Sequence, residues 1–376
     1  MNISLLIGLR NNLDYTKYFY KTTRELYPEV ELCFVSYGST DGTHEWLDSL
    51  DDINVKYFYS DESKTFSDTF NKAAEIGTQQ YMAFLHNDIV LTPNFVENIL
   101  KHLTPKRVVS YTTIEPPIFD THSRPGKIVR EFGRDLESFD KSELLTYAKQ
   151  DLYKDQVQPG ITFFMALCRE TYLKIGGMDN LFNPMFCEDD DLIRRLDMYG
   201  LEQLTSLDAL CYHFVSKTSR FSPEYEKKTA EIESNSQRNF FRKWNNAFAI
   251  NKYDIGFIVK NCNINALGIL EPWCNTIYIE DDMQVLTTHY LDKEQSNTAF
   301  DLSTRIKLFD SDKTNDVLVT IDANNFQQDD FNTITMLGKI LEDSGDIGTF
   351  KIHNLKLEIK DLKRYEQELI VCNTIY

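Results

Sequence analysis

The sequence predicts an α/β fold: a mainly parallel β-sheet with helices on both faces, followed by a smaller α/β domain. Two observations predict the first part. Over about the first 115 residues, short apolar runs alternate with stretches whose apolar residues recur at helical spacing. The connections between them are also short, so successive strands run parallel and their crossovers cover both faces. A third observation, a change of composition near residue 250 followed by new apolar runs, predicts the second part and divides the chain into 1–250 and 251–376.

The elements follow in order. "ISLLIGL" (3–9) is a β run, followed by a helical pattern over about 14–27, and "ELCFVSY" (31–37) is a second β run. "STDGTHEWLDSL" then offers Thr40 or Asp41 as a helix cap. "VKYFYS" (55–60) is a third run; "FSDTFNKAAEIG" is a helix with Gly77 as its stop; "YMAFL" (81–85) is the fourth run. Thr92 as cap with Pro93 at the first helical position signals the helix "TPNFVENILKHL", and "VVSYTTI" (108–114) closes the series. Residues 115–160 are rich in charge and turn formers and read as a long loop or insertion. Regularity returns with "GITFFMALCRETYLKIGGMD". The helix "DLIRRLDMYG" follows, with Leu192, Leu196 and Tyr199 on one face, Asp191 placed to pair with Arg195, and Gly200 as stop. "LTSLDALCYHF" is a β run ending at His213, and 222–244 reads as a polar helix. Beyond 250, "IGFIVKN", "TIYIED", "DVLVTIDA" and "FKIHNLKLEI" are β runs, with the helix "FNTITMLGKILEDSG" before the last.

Composition excludes several function classes. With 42% hydrophobic residues the chain can build real cores. A net charge of -18 argues against nucleic acid as a partner, because phosphate binding needs Lys and Arg in excess. It also disfavours a general hold on anionic lipid, while leaving room for a peripheral membrane position through a local basic patch. The seven Cys, at 33, 168, 187, 211, 262, 274 and 372, form no C-x-x-C pair, which suits reduced thiols in a cytoplasm. No apolar run approaches the roughly 18–20 residues of a membrane span, and no signal pattern opens the chain.

In parallel sheets, ligands bind beyond the carboxyl ends of the strands. That places "GLRNN", "SYGSTDG" and "HND" on one rim. A second feature is "NPMFCEDDDLIRRL" (183–196), where four acidic side chains are adjacent at a helix start. Such carboxylates repel one another and are costly to bury. They serve either the positive end of the helix dipole or a bound cation or reacting hydroxyl.

"FVSYGSTDGT", "FLHNDIVLTPNF", "IGGMDNLF…EDDDLIRRL…G" and a later "YHF", in this order over about residues 3–245, resemble the family 2 glycosyltransferases of the GT-A (Rossmann-like) fold. No single piece is specific; the four in order, each at a predicted strand end or helix start, are strong together. The resemblance implies a metal-dependent, inverting enzyme that moves a sugar from a nucleotide-sugar donor to a hydroxyl of a glycan or lipid-linked saccharide. A divalent ion, Mn2+ or Mg2+, would neutralise the leaving diphosphate.

Residue by residue, the resemblance makes Asp88 a metal ligand, with His213 as a second contact and His86 touching ribose, water or metal. A plain turn carboxylate and turn or strand-end histidines are the structural alternatives. Asp189 would be the general base and Glu188 would bind or orient the acceptor, while Asp190 and Gly177 fall on the acceptor side. The alternative is a cluster that only supports a helix start. On the donor side stand Leu9, Asn11, Ser36, Tyr37, Ser39, Asp68, His86 and Asn87. Ser36 and Tyr37 occupy the place where the family carries a base-reading Asp, so the nucleotide is left open. A sugar-phosphate nucleotidyltransferase would share such a sheet but should open with a G-x-G-x-R-L loop, which "IGLRNN" lacks. A non-catalytic nucleotide-sugar or glycan-binding protein is the third reading, and the retained Asp88 and acidic cluster argue against it. Residues 251–376 resemble no family, and acceptor binding or homo-oligomerisation are the roles open to them.

Overall fold

The apolar runs become buried strands in the computed structural model, which describes all residues except 151, 216–225, 248, 250, 282, 365–368 and 373–376. Two units result, Met1–Ala230 and Glu231–Tyr376. In the first, the chain order is β1 (Ile3–Leu9), α1 (Leu13–Leu26), β2 (Glu31–Tyr37), α2 (Thr43–Asp48), β3 (Val55–Ser60), α3 (Phe66–Ile76), β4 (Tyr81–His86), β5 (Ile89–Leu91) and α4 (Phe95–Leu100). Then come β6 (Arg107–Glu115), β7 (Lys127–Val129), α5 (Lys141–Ala148), β8 (Val157–Pro159), β9 (Met165–Cys168), α6 (Arg169–Lys174), α7 (Glu188–Met198) and β10 (Glu202–His213).

The sheet order is β3-β2-β1-β4-β9-β6-β10-β5, with β7 beside β6 and β8 beside β10. Its first four strands are parallel neighbours, and β6 runs parallel to β10. Alternation along β1 assigns its two faces. Ile3, Leu5, Ile7 and Leu9 enter a core with Phe19 of α1, Leu47 of α2 and Phe95, Val96 and Ile99 of α4. Ser4 and Gly8 face α3, where a Cβ at Gly8 would meet Thr69 and Phe70 at 3.0 and 3.3 Å. Helices therefore cover both faces, as the β/α alternation requires.

Local signals misplaced two helix starts. Helix α2 begins after Gly42, not at Thr40 or Asp41. The Asp41 carboxylate serves both helices: Oδ1 accepts from Thr43 N at the start of α2 at 3.2 Å, and Oδ2 accepts from Leu13 N at the start of α1 at 2.8 Å. Helix α4 starts at Phe95 behind a left-handed Asn94, because Thr92 is already engaged: its hydroxyl donates to Leu210 O and its carbonyl accepts from Tyr27. The stretch 115–160 is not one loop. It contains β7, α5 and β8, and Phe132, Leu144 and Tyr147 pack with Leu210, Tyr212 and Phe214 of the β10 region in a second core. Its many charges hide this, since the apolar residues that pack are too sparse to show a period.

The second unit holds α8 (Thr229–Trp244) from Glu231 onward, β11 (Ile255–Lys260), α9 (Ile264–Leu270), β12 (Thr276–Ile279), α10 (Val285–Glu294), α11 (Leu302–Arg305), β13 (Ile306–Leu308), β14 (Val317–Asp322), α12 (Gln328–Ser344), β15 (Gly348–Ile352) and β16 (Leu355–Ile359). Its sheet order is β13-β12-β11-β14-β16-β15, parallel except at β16 and β15. The division falls ahead of the composition change near 250 because α8 is locked into this unit. Arg242 and Glu271, both fully buried, pair at 2.8 Å, and Arg305 meets the same carboxylate at 2.8 Å.

Candidate functional site

Sheet topology builds a His–Asp–His cluster at the rim. β4 ends at His86 and Asp88 follows in the turn to β5. β5 folds back antiparallel to β10 with Ile89 opposite His213, and Phe214 N donates to Asp88 O at 3.0 Å. This return brings His213 to Asp88 across a long stretch of chain. His213 Nε2 lies 3.4 Å from Asp88 Oδ1 and 3.3 Å from His86 Nδ1, with 4.0 Å between His86 Nδ1 and Asp88 Oδ1. One ligand atom from each residue falls within 4.8 Å of the others. Ligands about 2.1 Å from a Mg2+-like ion stand roughly 3 Å apart when adjacent. The spacing and the mixed nitrogen and oxygen donors therefore fit one divalent ion.

The charges at this cluster favour a cation. Burial works against a charge on His213, but Asp88 and Glu115 outweigh it and hold the imidazole up at about 9. Burial, with His213 beside it, pushes His86 down to about 4. Burial would raise Glu115; His213 and Lys127 overcome it and bring the carboxyl to about 2. The Asp88 carboxylate, which favours a proton on the facing Nε2 of His213, favours a metal ion in its place.

A cavity of about 110 Å³ opens beside His86, lined among others by Leu9, Arg10, Tyr37, Phe66, Pro184 and Met185. Of the donor-side residues, Leu9, Tyr37 and His86 face it. Ser36 is fully buried; its hydroxyl lies 2.8 Å from Ser39 Oγ and 3.1 Å from His44 Nε2. Asn11, left-handed at φ 57°, takes its place through Ser39 Oγ and Thr40 N at 2.9 and 2.8 Å. Asn87 turns to α1, donating to Thr16 Oγ1 at 3.0 Å. Asp68 is committed to structure: it completes the capping box of α3 with Thr65 and accepts from Asn180 at 2.9 Å.

The four acids have four different environments. Asp191 and Arg195, both fully buried, pair at 2.7 Å, as their helical spacing predicts. Arg195 also donates to the Ile175 and Gly177 carbonyls, which fastens the Gly-Gly turn to α7. Asp190 is exposed, Asp189 half-buried, and Glu188 buried with no hydrogen bond to its Oε2 among the described residues. Burial, reinforced by Asp189, pushes Glu188 well above the usual carboxylate range. Burial and then the Asp190 charge raise Asp189 to about 6. The helix is entered through Phe186 and Cys187, both non-glycine residues with positive φ, 79° and 67°. Such backbone costs on the order of 1–3 kcal/mol per residue and concentrates at functional sites.

Three contributors carry no local signal. Asn71 of α3 accepts from Tyr172 OH and Met178 N and donates to Met178 O, holding the turn that follows α6. A Cβ at Gly177 (φ 71°) would strike Asn71 Oδ1 at 2.2 Å. His44 contacts Ser36 and stacks on Tyr59 at 4.5 Å. Glu115 lies behind His213 at 3.0 Å. In the sequence Glu115 is only an acidic residue at the end of a mixed polar and apolar strand, which does not mark it.

A mainly parallel sheet with helices on both faces agrees with the GT-A-like fold class that the sequence predicts. Residues 4–176, within the N-terminal unit, match the family described as Glycosyl transferase family 2. No curated protein matches the chain. Among solved structures, the chain is similar to the mannosyltransferase PcManGT from Pyrobaculum calidifontis in complex with GDP-Man and Mn2+. The TM-score is 0.43 at 17% identity, over 64% of this chain and 63% of that one. It is also similar to GalNAc-T7 with UDP, GalNAc and Mn2+, with a TM-score of 0.42 at 13% identity, over 57% of this chain and 44% of that one. The match thus spans less than two thirds of either protein's own length. Among the described residues, no helix is long and apolar enough to cross a membrane.

Proposed function

We propose that the chain is a metal-dependent, inverting glycosyltransferase that moves a sugar from a nucleotide-sugar donor to a hydroxyl of a glycan or lipid-linked saccharide. The carrying observation is the His86–Asp88–His213 cluster beside the rim cavity, in the unit whose residues 4–176 match family 2. Asp88 and His213, with His86, would hold Mn2+ or Mg2+, which supplies charge neutralisation for the departing diphosphate. Leu9, Tyr37 and His86 line the donor cavity, and Ser39 and Asn11 fix the loop beside it. Asp189, raised to about 6, is poised to take the acceptor proton near neutral pH. Glu188, pushed upward by burial, is suited to donating a hydrogen bond to the acceptor. Asp190 and the Gly177 turn, fastened by Arg195, would flank the acceptor. Seven free cysteines support action in a cytoplasm, and the acceptor would belong to polysaccharide assembly. The second unit would bind acceptor or pair copies of the chain.

The test is donor hydrolysis and transfer with a panel of nucleotide sugars, with and without Mn2+, on the wild type and Asp88→Ala. Turnover of one donor that needs Mn2+ and is lost in Asp88→Ala is expected. Metal-independent turnover, or none with any donor, would reject the proposal.

A further inference from the structure

We propose that Glu115 is the positioning residue for His213 and that Lys127 holds Glu115 in turn; this rests on the metal-site reading above. Glu115 closes β6, and its two oxygens are divided between two tasks. Oε1 faces His213 Nδ1 at 3.0 Å and accepts from Thr113 Oγ1 at 3.1 Å; Oε2 accepts from Lys127 Nζ at 2.7 Å. A carboxylate on Nδ1 keeps the ring proton there and leaves Nε2 as the ligand atom. Nε2 is the atom that faces Asp88 and His86, at 3.4 and 3.3 Å.

Orientation alone does not explain Lys127. A buried carboxylate between two strands is costly unless its charge is matched. The ammonium of Lys127 matches it from the side away from the cluster, and also meets Asp120 at 3.0 Å. Lys127 belongs to β7, which pairs with β6 with Thr113 opposite Lys127. A strand from the charged stretch after β6 therefore supports the metal site from behind, without contributing a ligand. A purely structural tie between β6 and β7 would need the Glu115–Lys127 pair but not the contact with His213.

Mn2+ binding, followed by electron paramagnetic resonance on the full chain without donor, separates the two. Glu115→Ala is expected to weaken Mn2+ roughly 10- to 100-fold, Glu115→Gln by a smaller factor, and Lys127→Met in the same direction. In a His213→Ala background, adding Glu115→Ala should cost nothing more, because a residue that acts through His213 is silent without it. Should Glu115→Ala fail to fold by circular dichroism, Glu115→Gln, which keeps the size and an acceptor for Nδ1–H, carries the measurement. Unchanged Mn2+ affinity in the folded variant, or the same loss with and without His213, overturns the proposal. Weakening in Asp88→Ala but not at Glu115 overturns this proposal alone. No Mn2+ binding by the wild type overturns the metal-site reading with it.

Discussion

Asp189→Asn removes the half-buried carboxylate among the four acids that open the helix. Burial and the Asp190 charge raise Asp189 to about 6. A base must be ionised to work, so wild-type kcat/KM should be full above pH 6 and fall as pH drops through it. At pH 5 about a tenth of the plateau would remain, since an essential base loses tenfold per pH unit below its pKa. In Asp189→Asn the plateau should drop by roughly 10² to 10⁴, and the remaining activity should lack this acidic limb. Asp190→Asn is the control. It removes one charge on the same turn, worth on the order of 1 kcal/mol, or somewhat less than one pKa unit. It should therefore move the limb to lower pH and lower the plateau far less than Asp189→Asn does. The helix itself should survive both changes, because a first-turn carboxylate contributes about 0.3–1 kcal/mol through the dipole. The assay is initial-rate transfer at saturating Mn2+ between pH 5 and 8. Full activity in Asp189→Asn, or equal plateau losses in both variants, would refute the base assignment.

Gly177→Ala should lower the melting temperature of the N-terminal unit more than Gly200→Ala. Both glycines have positive φ, but a Cβ at Gly177 meets Asn71 Oδ1 at 2.2 Å whereas one at Gly200 meets nothing within 4 Å; equal shifts in differential scanning calorimetry would contradict this. Glu271→Gln leaves Arg242 and Arg305 without their shared carboxylate. A broken buried pair costs about 3–5 kcal/mol, so the urea transition of the second unit should move to lower concentration, and an unmoved midpoint would count against the network. A chain truncated after Ala230 should fold and bind nucleotide. One ending near 250 should aggregate more readily, because it carries α8 without the partners of Arg242; the reverse order in sedimentation analysis would place the boundary later.

The sequence by itself determined the order of strands and helices through β4, the rim on which "HND" falls, and the candidates Asp88, His213 and Asp189. The order and the rim rest on local rules, namely apolar period, strand ends and helical spacing such as that of Asp191 and Arg195; the roles of the three candidates rest on the family resemblance. The sequence could not show that β9 inserts antiparallel between β4 and β6, nor that β5 turns back to set His213 against Asp88. Strand order is settled by which faces pack best after the chain has collapsed, and no local period encodes it. Asp41 capping α1, Asn71 holding Met178 and Glu115 between His213 and Lys127 arise in the same way. Each is a polar group with a partner far along the chain; for Asn71 and Glu115 it is burial, which makes an unpaired polar group costly, that selects the partner.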